Sequence, residues 1–370
     1  MKIAYFLGTL KKEDGVTRVL LSLTNEAKKR GMDSVIITGW AEDESISPVP
    51  VIQIPSLIFP LYKDYRIPLP GMHGFEKILD EFKPDILHVH SPDTIAWAAL
   101  KYARKNKLPI VATYHTNFCR YLSYYHLSSL QSLVWDSLKR LYKKMNLVTS
   151  PSATVSRELI DLGIKNVCTI PWGVDFTIFN NSFRSSEWRN KILKNEDKTI
   201  IFYAGRLTWE KDFKTFIDTY KLLRNKRDDF LIVIAGDGPI RKELESLMPD
   251  AVFLEHIEGK ELSTAYASSD ILFTPSSTEV FANVPLEAMS SGLIPVLADI
   301  GGIKILIENN NIGLLCKPKN PKDFYQKINM LLDNPQLQKE MRTNGANFIR
   351  NYTCEKVFDD IYKKYTELIN

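Results

Sequence analysis

Short apolar runs alternate with longer amphipathic stretches along this chain. KIAYFLG (2–8), SVIITG (34–39), ILHVH (86–90) and IVATYH (110–115) hold too few polar positions for strands with one wet face. They predict buried parallel strands. TRVLLSLTNEAKKRG (17–31) has helical spacing between the first two, with basic residues in its last turn and a glycine stop. LVTSPS (147–152) and CTIPWGVD (168–175) continue the series. Residues 181–198, NSFRSSEWRNKILKNEDK, interrupt it with a polar stretch that reads as a linker. The alternation restarts with TIIFYAG (199–205), FLIVIAG (230–236), AVFLEHI (251–257), ILFTP (271–275) and IPVLA (294–298). Residues 354–370 have helical spacing again.

Two successive βαβ series predict an α/β protein with two doubly wound, Rossmann-like domains. The expected division is a first domain over 1–180, a linker over 181–198 and a second domain over 199–353. A terminal helix over 354–370 is expected to pack across both. A length of 370 residues fits two cores better than one.

Composition narrows the class. Lys+Arg number 48 against 44 Asp+Glu, a net charge of +4, which is too slight a bias to predict nucleic-acid binding. The four cysteines form no C-x-x-C pair and are expected to be reduced thiols of a cytoplasmic protein. No run approaches the ~20 apolar residues of a spanning helix. The first residues read as a strand rather than a signal peptide.

In doubly wound sheets, ligands bind beyond the carboxyl ends of the strands where strand order reverses. Arg206 and Lys211 follow TIIFYAG in one loop. An arginine fork and a lysine point charge suit a diphosphate, although solvated surface charges are equally common. AGDGP (235–239) offers a tight turn only, since neither domain carries G-x-G-x-x-G. No Asp-X-Asp pair exists to hold a sugar nucleotide through a divalent cation, so no metal or other cofactor is expected.

After ILFTP, a helix predicted to start near Asn283 would aim its unpaired N–H groups at whatever precedes it, and Pro285 suits its first turn. Glu279 lies before that start. Glu287 lies one turn inside, where a carboxylate can accept from both hydroxyls of a ribose. In the first domain, loop 9–16 leads to the first helix, and Gly15 in it would let backbone approach a phosphate; a small residue there could equally serve the helix start. His115 ends a strand and should face the cleft, although a lone histidine serves a structural role as often. His88 and His90 form an H-x-H read as structural or cleft-lining.

Together these residues resemble the retaining glycosyltransferases of the GT-B fold, family four. The carriers are R-x4-K (206–211), E-x7-E (279–287), YHT (114–116), SPSATVSREL (150–159), P-x-GVD (171–175), AGDGP and GLIPVLADIGG (292–302). The resemblance implies two domains facing across a deep cleft, with the terminal helix crossing back to the first. It implies a nucleotide-sugar donor of the GDP-mannose or UDP-glucose type. Arg206 and Lys211 would neutralise its diphosphate, Glu287 would bind ribose, and Glu279 would hold the transferring sugar. Backbone at Phe281, Ala282, Asn283 and Val284 would touch sugar and phosphate, and Ile257 the base. His115 would approach the sugar, and Gly15 the phosphates.

Three positions depart from the family pattern. Asp14 stands where a second glycine is frequent, Ala282 replaces a glycine and Trp172 an asparagine.

The Tyr-, Leu- and Lys-rich segment 114–146 is similar to that of sulfoquinovosyl- and mannosyl-diacylglycerol transferases. A lipid or glycan acceptor follows from that likeness. Arg140, Lys143 and Lys144 with Trp135 and Leu138 are a candidate patch for anionic membrane on the inner face of the cytoplasmic membrane. The competing reading is an ordinary core helix with a basic outer face. Two other functions fit the fold: a nucleotide-sugar 2-epimerase and a non-catalytic sugar-nucleotide sensor.

Overall fold

A computed structural model describes the chain except residues 13, 59–64, 73, 116–130, 256, 277–282, 301–303, 305–306 and 308–309. The chain divides into two compact units, Met1–Trp172 with Cys354–Asn370, and Gly173–Thr353.

The first unit is built on the strands β1 (Lys2–Leu10), β2 (Asp33–Ala41), β3 (Val51–Gln53), β6 (Ile86–Val89), β7 (Ile110–Thr113), β8 (Leu147–Ser150) and β9 (Val167–Thr169). They form one parallel sheet of order β3-β2-β1-β6-β7-β8-β9. β1 is buried from Ile3 to Leu10. A central parallel strand covered on both faces has no wet side, which is why its sequence is nearly all apolar. β4 (Ser56–Ile58) and β5 (Arg66–Pro68) add an antiparallel pair that the sequence pattern does not announce.

Helices α1 (Gly15–Lys29), α2 (Phe75–Phe82), α3 (Thr94–Asn106), α4 (Gln131–Tyr142) and α5 (Ala153–Asp161) link the strands. α1 starts where Asp14 accepts from the Thr17 amide at 3.0 Å. This N-cap explains the aspartate at a position where the family pattern often has glycine.

The second unit repeats the scheme with β10 (Thr199–Ala204), β11 (Phe230–Ala235), β12 (Val252–Leu254), β13 (Ile271–Thr274), β14 (Ile294–Ala298) and β15 (Leu314–Cys316). Their sheet order is β12-β11-β10-β13-β14-β15. The helices are α6 (Ser186–Leu193), α7 (Phe213–Arg224), α8 (Arg241–Leu247), α9 (Gly259–Ala267), α10 (Asn283–Ser290), α11 (Pro321–Leu332) and α12 (Pro335–Ile349). Phe216, Phe273 and Phe324 anchor its core, the first two stacked at 4.3 Å.

The polar stretch 181–198 is part of this unit rather than a linker. It forms a 3-10 turn (Asn181–Phe183) and α6. Its charge is absorbed by buried Asp270, which Arg189 meets at 2.8 Å and Arg184 at 3.4 Å, with Arg342 of α12 at 3.1 Å. The Ile200 amide donates to the same carboxylate at 2.9 Å. Burial works to raise the Asp270 pKa, but this amide together with Arg189 and Arg342 brings it below the usual range.

The last helix, α13 (Cys354–Ile369), returns to the first unit. Val357, Phe358, Ile361, Tyr362 and Tyr365 are buried there in one core with Leu20, Leu23 and Ala27 of α1. The Tyr362 hydroxyl donates to the Leu23 carbonyl at 2.7 Å.

Candidate active site

Strand order reverses once in each sheet. In the second unit the neighbours β10 and β13 lead to opposite sides, so their carboxyl ends form the switch point. The loop after β10 carries Arg206 and, in a 3-10 turn (Trp209–Lys211), Lys211. The loop after β13 leads into α10. Both charged elements expected from the sequence therefore issue from adjacent strands.

The β10 loop is laced to the β11 loop by backbone. Gly205 N–H donates to Ala235 O at 3.0 Å, and Leu207 N–H to Asp237 O at 2.9 Å. This closeness explains AGDGP. A Cβ on Gly236 would lie 2.0 Å from Gly205 O, and one on Gly238 2.2 Å from Leu207 O. The Tyr203 hydroxyl donates to Arg206 O at 3.1 Å and fixes the turn from below. The exposed Arg206 guanidinium lies 3.3 Å from Glu210, a partner that the sequence pattern does not reveal. An exposed pair of this kind is worth ~0–1 kcal/mol and yields readily to a stronger anion.

α10 begins at Asn283, as the proline spacing predicts, with Pro285 buried in its first turn. Asn283 and Val284 are half-buried, and the buried Asn283 Oδ1 has no hydrogen-bond partner among the described residues. Glu287 is 8% exposed and accepts from the Tyr266 hydroxyl of α9 at 2.8 Å. That second contact escapes the sequence, because 21 residues separate the pair. Ile257 is half-buried between β12 and α9. Glu279, Phe281 and Ala282 lie outside the described residues.

In the first unit the reversal falls between β1 and β6. Beyond β1 lies Gly15 at the start of α1, where an added Cβ meets nothing described within 4 Å. Beyond β7 lies His115, half-buried, its ring stacked on Trp172 with centroids 4.9 Å apart and planes 13° apart. Its Nε2 is 2.8 Å from His90 Nδ1. Behind them His88 is bound at both nitrogens, by Thr113 Oγ1 at 2.7 Å and by the Tyr365 hydroxyl of α13 at 2.5 Å. H-x-H is thus two residues with different work: His88 ties α13 to the sheet, and His90 meets the strand-end histidine. Burial pushes the His90 pKa down to about 3. Burial, reinforced by the neighbouring histidines, holds His88 and His115 well below the usual value. All three rings are neutral at pH 7.

The candidate membrane patch is altered. Leu138 is buried with Leu141 and Tyr142, so the C-terminal end of α4 packs into the core, while Leu133 is exposed. Arg140, Lys143 and Lys144 are exposed, and Lys144 lies 5.6 Å from the Trp97 ring centroid. No helix among the described residues is long and apolar enough to cross a membrane. Among the described residues, no three His, Cys, Asp or Glu gather in a way that could hold a metal ion.

The chain belongs to the group 1 glycosyltransferases: residues 14–177 match Glycosyltransferase Family 4 and residues 184–348 match Glycosyl transferases group 1. Its fold is GT-B, and the activity of the class is sugar transfer from a nucleotide sugar. A GDP-mannose-dependent alpha-mannosyltransferase of Mycobacterium tuberculosis is 32% identical over 83% of this chain and 81% of its own. Sulfoquinovosyl transferase SQD2 of Arabidopsis thaliana is 35% identical over 77% of this chain and 58% of its own. Among solved structures, Anabaena HepE in complex with UDP and glucose superposes with a TM-score of 0.80 at 18% identity, covering all of both chains.

Proposed function

We propose that the protein transfers a hexose, with retention of anomeric configuration, from a GDP- or UDP-sugar to a hydroxyl of a membrane lipid or cell-envelope glycan. The observation that carries this reading is the pairing of β10 with β13 at the second unit's switch point. The strands that lead in sequence to the Arg206–Lys211 loop and to α10 are thereby neighbours, which supports the reading. A departing nucleoside diphosphate develops negative charge as the sugar becomes oxocarbenium-like. Fixed cations and free helix N–H groups stabilise that charge more in the transition state than in the ground state.

In this reading Arg206 and Lys211 neutralise the diphosphate without a metal. Glu287, held by Tyr266, accepts from the ribose hydroxyls. Glu279 holds the sugar near its 3-hydroxyl, and the backbone of residues 281–284 contacts sugar and phosphate. Ile257 meets the base, Gly15 the phosphates and His115 the sugar. Attack comes from the face the diphosphate leaves, and a phosphate oxygen takes the acceptor's proton. The exposed Arg140, Lys143 and Lys144 at and just beyond the end of α4 support an acceptor presented at an anionic surface on the cytoplasmic side.

Incubation with radiolabelled GDP-mannose or UDP-glucose, with and without total lipid extract, tests the reading. Label entering lipid or glycan supports it. Epimerised nucleotide sugar would establish the 2-epimerase instead, and donor binding without turnover of any donor would establish a sensor.

A further inference from the structure

The histidines at the ends of β6 and β7 carry more information than their proximity. His90 Nδ1 and His115 Nε2 are 2.8 Å apart and both rings are neutral, so a single proton lies between them. Two arrangements satisfy that distance. If His115 donates, the one remaining proton of His90 sits on its Nε2. That atom is buried and has no hydrogen-bond partner among the described residues. If His90 donates, its Nε2 is left as a bare acceptor, and no buried N–H is orphaned. Orphaned buried donors are rarer than under-used acceptors. The His88 ring, with its centroid 4.1 Å away, is bound at both nitrogens to Thr113 and Tyr365.

We propose that His90 is a positioning residue, donating from Nδ1 to His115 Nε2, so that His115 keeps its own proton on Nδ1. Trp172, only 7% exposed, holds the ring plane by stacking. His115 then offers its ligand a hydrogen-bond donor and no free lone pair. Its partner on the ligand is a hydroxyl or phosphate oxygen, and it cannot take the acceptor's proton as a general base. This rests on the transfer reading only where it names the ligand. The consequence suits a reaction in which the leaving phosphate takes that proton. It also accounts for Trp172, a departure from the family pattern, because a flat indole can hold an imidazole plane.

The test uses the full chain labelled with 15N-histidine. Long-range proton–nitrogen correlation spectra distinguish protonated from bare ring nitrogens, and a His115→Gln spectrum assigns the His115 signals. Wild type should show His115 protonated at Nδ1 and bare at Nε2, with His90 protonated at Nδ1. His90→Phe removes the donor and should move the His115 proton to Nε2. It should lower kcat by tenfold or more, towards the ~100-fold that an ångström of misplacement costs, with KM changing less. His90→Asn places an amide N–H near the same point and should recover the tautomer and most of the lost kcat.

A wild-type spectrum with His115 protonated at Nε2 overturns the proposal, even if His90→Phe fails to fold. The expected spectrum combined with no sugar transfer from any donor would uphold the histidine arrangement and sink the transfer reading, so the two fail separately.

Discussion

Gly15→Ala separates a ligand's demand from the fold's. Gly15 is the first residue of α1, its φ is not in the left-handed region, and a Cβ there meets no described atom within 4 Å. Nothing described in the protein therefore requires glycine. Alanine should stabilise the helix by ~0.5–1 kcal/mol through lower unfolded-chain entropy. In a domain of this size that raises Tm by ~1–4 °C. If the site approaches a phosphate at this backbone, the same methyl should weaken nucleoside-diphosphate binding tenfold or more, about 1.4 kcal/mol. Gly238→Ala is the control with the opposite cause, since its Cβ would lie 2.2 Å from Leu207 O and should cost stability outright. Urea unfolding and titration calorimetry with GDP and UDP read both effects. A Gly15→Ala protein that is less stable, or that binds as wild type does, refutes the assignment.

Lys211→Ala should reduce kcat/KM by a hundredfold or more while the urea midpoint stays nearly constant, because the side chain is only half-buried in an external turn; equal losses in both would remove it from the chemistry. Tyr266→Phe withdraws a donor from buried Glu287 and should cost about 1–3 kcal/mol of stability and raise the donor Kd, measured by chemical unfolding and calorimetry. A Kd unchanged by that substitution would dissociate Glu287 from the donor. Asp270→Asn breaks a buried carboxylate shared by three arginines and should cost ~3–5 kcal/mol at pH 7. The folded Asp270 pKa is lowered, so its stabilisation is complete above the unfolded value near 3.8 and is lost as pH falls through the folded value. The stability gap to wild type should hold at pH 6–8 and shrink below about pH 4; a gap independent of pH would show that its charge is not what matters.

The sheets were legible because central parallel strands are covered on both faces and nearly all apolar, as β1 is from Ile3 to Leu10. α10 was legible because a proline can occupy a first helical turn, and Pro285 is the second residue after Asn283. What failed to show in sequence depends on distant partners. The segment 181–198 reads as a linker because Arg184 and Arg189 look solvated until the fold brings Asp270 to them. Glu287 gains Tyr266, and His115 gains His90 and Trp172, across 21, 25 and 57 positions, where no local periodicity reaches. β3, β4, β5 and β15 are three residues each, too short for alternation to register, whereas β12, equally short, sits inside the apolar run 251–257. Leu138 reads as part of a membrane patch because an amphipathic helix looks the same whether its apolar side meets lipid or a core; the structure buries it.

The most direct test of the central claim is the anomeric configuration of the first product. The protein is incubated with whichever of GDP-mannose and UDP-glucose it turns over, and the one-bond carbon–proton coupling at the anomeric centre is read by NMR as the glycoside forms. Both donors are α-linked, so transfer from the face the diphosphate leaves predicts an α-glycoside from the first turnover. A β-glycoside would contradict it.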